Sequence, residues 1–208
     1  MFDFVKEKSA LVIVDMQNDF VREGGGMKVD DAIKTVPVIQ QLKDFARANG
    51  MPVIFTRFLI GPCPTFLWGW SPQAESASNC RRGLAKYYPD VDKTEQCSAV
   101  IDELQPILPE DYVIEKYNYS SFRNTNLIDV LKSEGRDTII VVGTVTQICV
   151  EDTVHDGFAN EIKVIVASDG CSSFQENLHT AALENFAMKY GEVDTAAHII
   201  ERYQKGGK

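Results

Sequence analysis

The sequence lacks the features that would attract a polyanion, a metal ion or a membrane. Its 208 residues carry 21 basic side chains against 30 acidic ones, which gives a formal net charge of -9. Because no positive field is available to collect phosphates, neither nucleic acid nor an anionic membrane surface is expected as a partner. The five cysteines contain no CxxC pair and form no cluster with the three histidines at metal-ligand spacing, so we expect no metal and no cofactor. A small-molecule substrate is the expected partner.

A targeting segment is also missing from the amino-terminal stretch. The first apolar run, residues 10–14, is five residues long and follows no basic region, which fits neither a signal peptide nor a membrane span. We therefore expect a cytoplasmic protein. In that reducing compartment most of the cysteines should be free thiols, and Cys63 and Cys80 are candidates for exposed, oxidisable ones.

Short apolar runs alternate with amphipathic stretches, which is the pattern of an α/β protein. Most of the runs are continuous Val/Ile segments, typical of parallel strands that helices cover on both faces. The predicted strands are residues 10–16, 52–58, 112–115, 138–142, 163–167 and 193–195. The predicted helices lie near residues 30–49, 94–105, 124–134, 147–159 and 176–190, with a short one after residue 196. We predict one domain over residues 1–208, with a doubly wound, mainly parallel six-stranded sheet in the order 3-2-1-4-5-6 and helices on both faces.

The connection over residues 61–94 is much longer than loops in compact domains usually are. It carries four of the eight prolines and both tryptophans, Trp68 and Trp70. Because it leaves the carboxyl end of a strand, where ligands bind in open α/β sheets, it is predicted to form one wall of a pocket. The alternatives are a self-packed surface loop, a contact between subunits, or a segment that completes a neighbour's site.

Three reactive side chains stand at or after the carboxyl ends of predicted strands: Asp15, Lys116 and Cys149. In the predicted strand order the first and fourth strands are neighbours, so the residues at their ends can converge. A thiol at a helix start near an ammonium is expected to have a lowered pKa, and the thiolate is the nucleophile. A carboxylate beside it can accept the thiol proton and deliver it to a leaving amine. Taken singly, these residues equally fit a helix cap, a solvated lysine and a small core residue.

Three motifs around these residues make the chain resemble the isochorismatase-like cysteine hydrolase superfamily. They are DMQNDF at residues 15–20, EKYNYSSF at residues 115–122 and GTVTQICVEDTVHDGF at residues 143–158. They occur in that family's order, and the resemblance covers nearly the whole chain. It implies a doubly wound α/β fold and a catalytic triad of Cys149, Asp15 and Lys116.

The resemblance also implies an oxyanion hole and a mechanism. A non-proline cis peptide between Thr144 and Val145 would turn the Val145 N–H toward the site, where it would act with the N–H of Cys149. Cys149 would attack a carbonyl carbon, and Asp15 would protonate the departing nitrogen. Asp15 would then activate water to hydrolyse the thioester, while Lys116 places and partly neutralises the thiolate and the carboxylate.

Two branches of that family fit this chain poorly. The nicotinamidase branch carries metal-binding histidines after the second strand, where this chain reads FTRFLIGPCP. The branch that hydrolyses a vinyl ether generally lacks the cysteine that stands here as Cys149. The resemblance therefore points to the metal-independent amidohydrolases, which act on carbamoyl, ureido or amide substrates and are commonly dimers or tetramers. An isochorismatase-type vinyl ether hydrolase, a non-catalytic scaffold or binding protein, and a redox thiol remain the alternatives.

The residues near the three motifs supply candidates for substrate contact and for support. Gln17 is expected to support Asp15 by hydrogen bonding, and Thr144 to support the turn that precedes Cys149. Each aromatic candidate also fits a plain core position. The substrate-binding candidates are Phe20, Trp68, Tyr119, Phe122 and Thr146.

Other ionisable residues fit less specific roles. His155 lies six positions after Cys149 on the same predicted helix, about 240° around its axis, so it is expected at the surface or an interface. Arg57, Arg81 and Arg82 are candidates for a substrate carboxylate, but solvated positions suit them equally.

Overall fold

The computed structural model describes residues 5–61 and 79–206. Of the long connection predicted over residues 61–94, it therefore covers residue 61 and residues 79–94. Cys63 and Trp68 lie outside the described residues.

The strands of the described residues form a six-stranded sheet and a separate hairpin. They are β1 (Ser9–Val14), β2 (Val53–Phe58), β3 (Ala85–Tyr88), β4 (Lys93–Gln96), β5 (Tyr112–Lys116), β6 (Thr138–Thr144), β7 (Lys163–Ser172) and β8 (Glu192–Asp194).

The six-stranded sheet has the order β5-β2-β1-β6-β7-β8, and each of its pairings is parallel. Counted along the chain without the hairpin, this is the order 3-2-1-4-5-6, so the predicted doubly wound fold is confirmed. The pairing of Val14 with Gly143 and of Phe58 with Lys116 brings the carboxyl ends of four strands to one edge. Residues that follow these strands can therefore meet there.

Helices cover both faces of this sheet. The α-helices are α1 (Asn18–Val21), α2 (Ala32–Ala48), α3 (Leu127–Ser133), α4 (Glu151–Ala159), α5 (Glu176–Asn185) and α6 (Ala196–Gln204). Two π-helical turns, Thr146–Val150 and Phe186–Tyr190, join onto α4 and α5. In the described part of the chain, no helix combines the length and the apolarity needed to cross a membrane.

The core is divided between the two faces by the alternation of side chains along each strand. On β1, Leu11 and Ile13 pack into the cluster with α2 and α6, while Val12 and Val14 pack into the cluster with α3, α4 and α5. Because both faces are covered, β1 is buried along its full length. This explains why its sequence is a continuous apolar run.

The helix predicted near residues 94–105 is wrong. The segment instead supplies β4, which pairs antiparallel with β3, and then an extended stretch and one 3-10 turn, Asp102–Leu104. Backbone groups of the extended stretch bond to the motif after β1: Asn18 N–H donates to Ala99 O at 2.9 Å and Ile101 N–H donates to Met16 O at 3.0 Å. These long-range hydrogen bonds satisfy the backbone groups that a helix would have paired locally.

A buried carboxylate fastens the hairpin to α1. Asp19 is fully buried and lies 3.0 and 2.9 Å from Lys86 Nζ through its two oxygens. Its carboxylate also accepts from Tyr88 Oη at 2.8 Å and from the Cys80 N–H at 2.7 Å. A buried charge is tolerable only with such partners. Cys80 is itself fully buried, so its expected exposure is wrong.

We predict that Gly143→Ala strongly destabilises the protein. Gly143 has a φ of 115°, and a Cβ there would lie 2.1 Å from the Val14 carbonyl oxygen. Backbone conformation and steric overlap together should lower the free energy of unfolding by more than about 3 kcal/mol. Urea unfolding followed by circular dichroism measures this.

Gly135→Ala is the matched control for that substitution. Gly135 also has a positive φ, 66°, but nothing lies within 4 Å of an added Cβ. It should lose only about 1–2 kcal/mol, the cost of a left-handed alanine. Equal losses for the two variants would contradict the steric explanation.

Candidate active site

The Asp15 carboxylate is held by an ion pair and by a threonine hydroxyl. Asp15 and Lys116 are fully buried, and Lys116 Nζ lies 2.7 Å from Asp15 Oδ2. Thr56 Oγ1 donates to Asp15 Oδ1 at 2.7 Å and accepts from the Asp15 N–H at 3.2 Å. Asp15 has a φ of 52°, a left-handed conformation that this pair of hydrogen bonds holds in place.

The Lys116 ammonium is enclosed by acceptors and an aromatic face. It donates to Tyr119 O at 2.6 Å and lies 5.4 Å from the centroid of the Phe58 ring. Burial by itself would lower the Lys116 pKa, but the charge of Asp15 and then the interaction with Cys149 outweigh it, so the pKa is raised. Lys116 therefore stays a cation although no water reaches it.

The Cys149 thiol completes the group. It is 2% exposed and lies in the π-helical turn before α4, where it interacts with both the Asp15 carboxylate and the Lys116 ammonium. Burial raises the thiol pKa, Lys116 lowers it and Asp15 raises it, and the net pKa lies well above its ordinary value. The prediction of a lowered thiol pKa is wrong, because desolvation outweighs the ammonium. The resting group is an ion pair beside a neutral thiol.

The turn that carries Cys149 is fixed to β7 and α5. The peptide between Thr144 and Val145 is cis. Thr146 Oγ1 donates to Ser172 O at 3.0 Å and shares a 2.8 Å hydrogen bond with His179 Nδ1, a contact that the sequence did not signal. Thr144 Oγ1 reaches the same carbonyl at 3.4 Å. Thr146 thus has its hydroxyl engaged within the protein.

Cys149 opens onto a largely apolar cleft with a volume of about 270 Å³. Its aromatic lining residues are Phe20, Phe58, Tyr119 and Phe174, and its aliphatic ones are Met27, Val145 and Ile148. Gly26 and Lys28 are the other residues that the described part of the chain contributes to the lining. Phe58 joins Phe20 and Tyr119 into one wall, with centroids 6.3 and 5.8 Å away.

Some of the predicted residues lie in this cleft and others do not. Phe20 and Tyr119 line it. Phe122 packs in the buried cluster beneath α3 and α4, where it lies against Gly157, outside the described lining. Trp68 lies outside the described residues.

Gln17 supports a different residue from the one expected. Its Nε2 donates to Phe58 O at 2.9 Å and to Ser98 O at 3.1 Å, and its Oε1 accepts from the Phe58 N–H at 2.7 Å. The predicted side-chain bond to Asp15 is replaced by this clamp on the end of β2. Thr56, which does bond to Asp15, lies two residues before the end of β2. Its place beside β1 was the only feature of the sequence that could have indicated this bond.

The other candidate groups are engaged outside the cleft. Arg57 and Arg82 both pair with Glu115, and Arg81 is exposed. His155 packs against Tyr190, with ring centroids 4.1 Å apart, and lies near Glu151. Within residues 5–61 and 79–206, no group of three or more His, Cys, Asp or Glu side chains is placed to hold a metal ion.

Comparison with known proteins identifies relatives over nearly the whole chain. A family model described as an isochorismatase domain matches residues 9–198. The ureidoacrylate amidohydrolase RutB of Yersinia enterocolitica is 34% identical, over 95% of this chain and 91% of that protein.

Solved structures give the same picture. A cysteine hydrolase from Pseudomonas syringae pv. phaseolicola superposes with a TM-score of 0.86 at 29% identity, covering 99% of this chain and 97% of that one. The N-carbamoylsarcosine amidase of Thermoplasma acidophilum superposes with a TM-score of 0.73 at 29% identity, covering 91% of this chain and 96% of that one.

We predict that Thr56→Val destabilises the protein and that Thr56→Ser does not. Valine keeps the shape of threonine but leaves Asp15 Oδ1 and the Asp15 N–H without the hydroxyl. Leaving buried polar groups unpaired should lower the free energy of unfolding by about 1–3 kcal/mol, whereas serine restores both bonds. Thermal and urea unfolding measure this, and equal stability of the valine variant and wild type would contradict it.

A second prediction concerns the reactivity of the thiol. Because the Cys149 pKa is raised, its alkylation by iodoacetamide should accelerate steadily from pH 6 to beyond pH 9, without levelling off. Mass spectrometry of the Cys149 peptide gives the rate. Cys171, which is buried and does not line the described cleft, is the internal control and should react far more slowly, because the cleft gives the reagent a route to Cys149 and not to Cys171. A plateau for Cys149 below pH 8 would show an activated thiolate at rest.

Proposed function

The chain belongs to the isochorismatase family, and on that premise we propose that it is a cysteine hydrolase which cleaves a C–N bond of a small carbamoyl, ureido or amide substrate through a thioester. It is a hydrolase that acts on C–N bonds other than peptide bonds, as its relatives named ureidoacrylate amidohydrolase are. The observation that carries the proposal is the meeting of the Cys149 thiol with the Asp15–Lys116 ion pair at one cleft.

The first half-reaction follows from the resting charges. The thiol proton moves to Asp15 as Cys149 Sγ attacks the substrate carbonyl carbon, and Lys116 then faces the developing anion in place of the carboxylate. In the proposal the carbonyl oxygen is held by the backbone N–H groups of Val145 and Cys149. Collapse of this intermediate breaks the C–N bond, and Asp15 passes its proton to the departing nitrogen.

The second half-reaction regenerates the enzyme. Asp15, again ionised, takes a proton from a water molecule that attacks the thioester carbon. The C–S bond breaks, the acid product leaves, and the proton on Asp15 returns to the Cys149 sulfur. Thr56 keeps one oxygen of the carboxylate fixed through the cycle, while the other oxygen faces Lys116.

Two further assignments belong to this proposal. A single domain over residues 1–208 is supported by the family match over residues 9–198. A cytoplasmic homodimer or homotetramer rests on the sequence expectation, and light scattering of the purified chain measures the assembly.

We predict that Cys149→Ala and Asp15→Asn each abolish turnover. A screen for ammonia release over amides, carbamoyl compounds and ureido acids should give at least one substrate for the wild type. Both variants should fall at least about a thousandfold on it, because members of such a unit are not additive. Added hydroxylamine should divert the wild-type product to a hydroxamate, as expected for a thioester.

Cys171→Ala is the matched control for that experiment. It removes another buried thiol but lies away from the described cleft lining, so turnover should stay within a few-fold of wild type. Ammonia release that persists in Cys149→Ala, or near-normal turnover by Asp15→Asn, would sink the proposed mechanism.

A further inference from the structure

One cation lines the cleft in the described part of the chain. Lys28 is the only charged side chain among the described lining residues apart from the ionisable thiol, and the rest of the lining is aromatic, aliphatic or glycine. Its side chain is 25% exposed. A cation in an otherwise apolar cleft favours a substrate that carries a negative or hydrogen-bond-accepting group at the same place.

The Lys28 ammonium is positioned but not saturated. Nζ lies 2.6 Å from Glu23 Oε1 and 2.9 Å from Asp30 Oδ1. Both carboxylates are largely exposed, at 60% and 87%, so these ion pairs are weak and a stronger acceptor can compete with them. An ammonium has three N–H donors, and the described residues engage two of them. The hydrogen bonds that Lys28 donates to Glu23 and Asp30 also raise its pKa, so the charge persists.

The backbone around Lys28 is tied to the segment that follows Asp15. Met27 N–H donates to Asp19 O at 3.1 Å, and Val29 N–H donates to Phe20 O at 2.8 Å. Gly26 packs against the Asn79 side chain so closely that a Cβ would overlap it. The backbone of Lys28 is therefore held in a fixed position at the cleft, and neither of its carboxylate partners is among the described lining residues.

Four other basic groups near the site are paired with carboxylates, and Arg81 is exposed and does not line the described cleft. Lys116 pairs with Asp15, Lys86 pairs with the buried Asp19, and Arg57 and Arg82 share Glu115. Residues 62–78 contain no lysine or arginine in their sequence. Lys28 is thus the cation that the described cleft offers to a ligand.

We propose that Lys28 binds a carboxylate of the substrate and thereby selects carbamoyl or ureido acids over uncharged amides. This assignment rests on the proposed function, with the scissile carbonyl at Cys149. The part of the substrate between its carboxylate and its scissile carbonyl would pack on the wall of Phe20, Phe58 and Tyr119. A charge-assisted hydrogen bond in an apolar cleft is strong enough to discriminate, because a carboxylate there would otherwise be buried unpaired.

The test compares two substrates that differ at one end. They are 3-ureidopropionate and propylurea, in which a methyl group replaces the carboxylate. Lys28→Met keeps the length of the side chain and removes its charge. It should lower kcat/KM for 3-ureidopropionate at least tenfold, chiefly by raising KM, and leave propylurea within twofold.

Lys34→Met is the matched control. Lys34 is exposed, pairs with Asp31 at 2.7 Å and does not line the described cleft, so its variant should leave both substrates unchanged. Equal effects of Lys28→Met on the two substrates, or none on 3-ureidopropionate, would overturn the assignment.

Binding separates this assignment from the proposed chemistry. Titration calorimetry of 3-ureidopropionate into Cys149→Ala should show binding that Lys28→Met, added to the same variant, weakens at least tenfold. If Cys149→Ala bound 3-ureidopropionate no more tightly than propylurea, or did not bind it measurably, the role of Lys28 would be overturned. If binding depends on Lys28 but the wild type releases no ammonia in a Cys149-dependent way, the proposed function fails and the binding role stands.

Discussion

The ion pair between Asp15 and Lys116 is the interaction on which the rest of the site depends. Both side chains are fully buried, so each is tolerable only because the other is present. Removing one partner of such a pair leaves an uncompensated buried charge, which costs about 3–5 kcal/mol. The parallel register of β1, β2 and β5 brings the two side chains close together. The Thr56 hydroxyl donates a further hydrogen bond to Asp15, and the Tyr119 carbonyl accepts one from Lys116.

The same register explains why so short a segment after β1 organises the cleft. Asp15 faces the thiol, Gln17 clamps the end of β2, Asp19 receives the hairpin, and Phe20 lines the cleft. Residues of this one short segment thus serve different neighbours, because the chain turns directly from strand to helix at the edge where four strands end.

The strand order and the meeting of the three reactive residues could be predicted from the sequence, since continuous Val/Ile runs indicate parallel strands and parallel strands end at one edge. The extended stretch after the hairpin could not, because residues 97–101 owe their extended form to backbone bonds with residues 16–19, far away in the chain. The hydrogen-bond partners of Gln17 and Thr56 could not be predicted for a related reason. A polar side chain shows its chemistry in the sequence, but its partner depends on which strand lies beside it. The thiol pKa depends on burial, which the sequence indicates only in outline.

A neutral thiol beside an ion pair also limits how charge can move in the proposed reaction. The buried Lys116 ammonium compensates one negative charge at a time. A second negative charge would be uncompensated and would face the same desolvation that keeps the thiol protonated. Proton transfer from Cys149 to Asp15 obeys this limit, since it neutralises the carboxylate in the step that creates the sulfur nucleophile. When the negative charge passes to the carbonyl oxygen, the ammonium and the backbone N–H groups face it in turn. In the proposed reaction, the group of Asp15, Lys116 and Cys149 with the reacting carbonyl therefore holds one negative and one positive charge at every stage, and the carboxylate would serve as base and acid without requiring a free thiolate at rest.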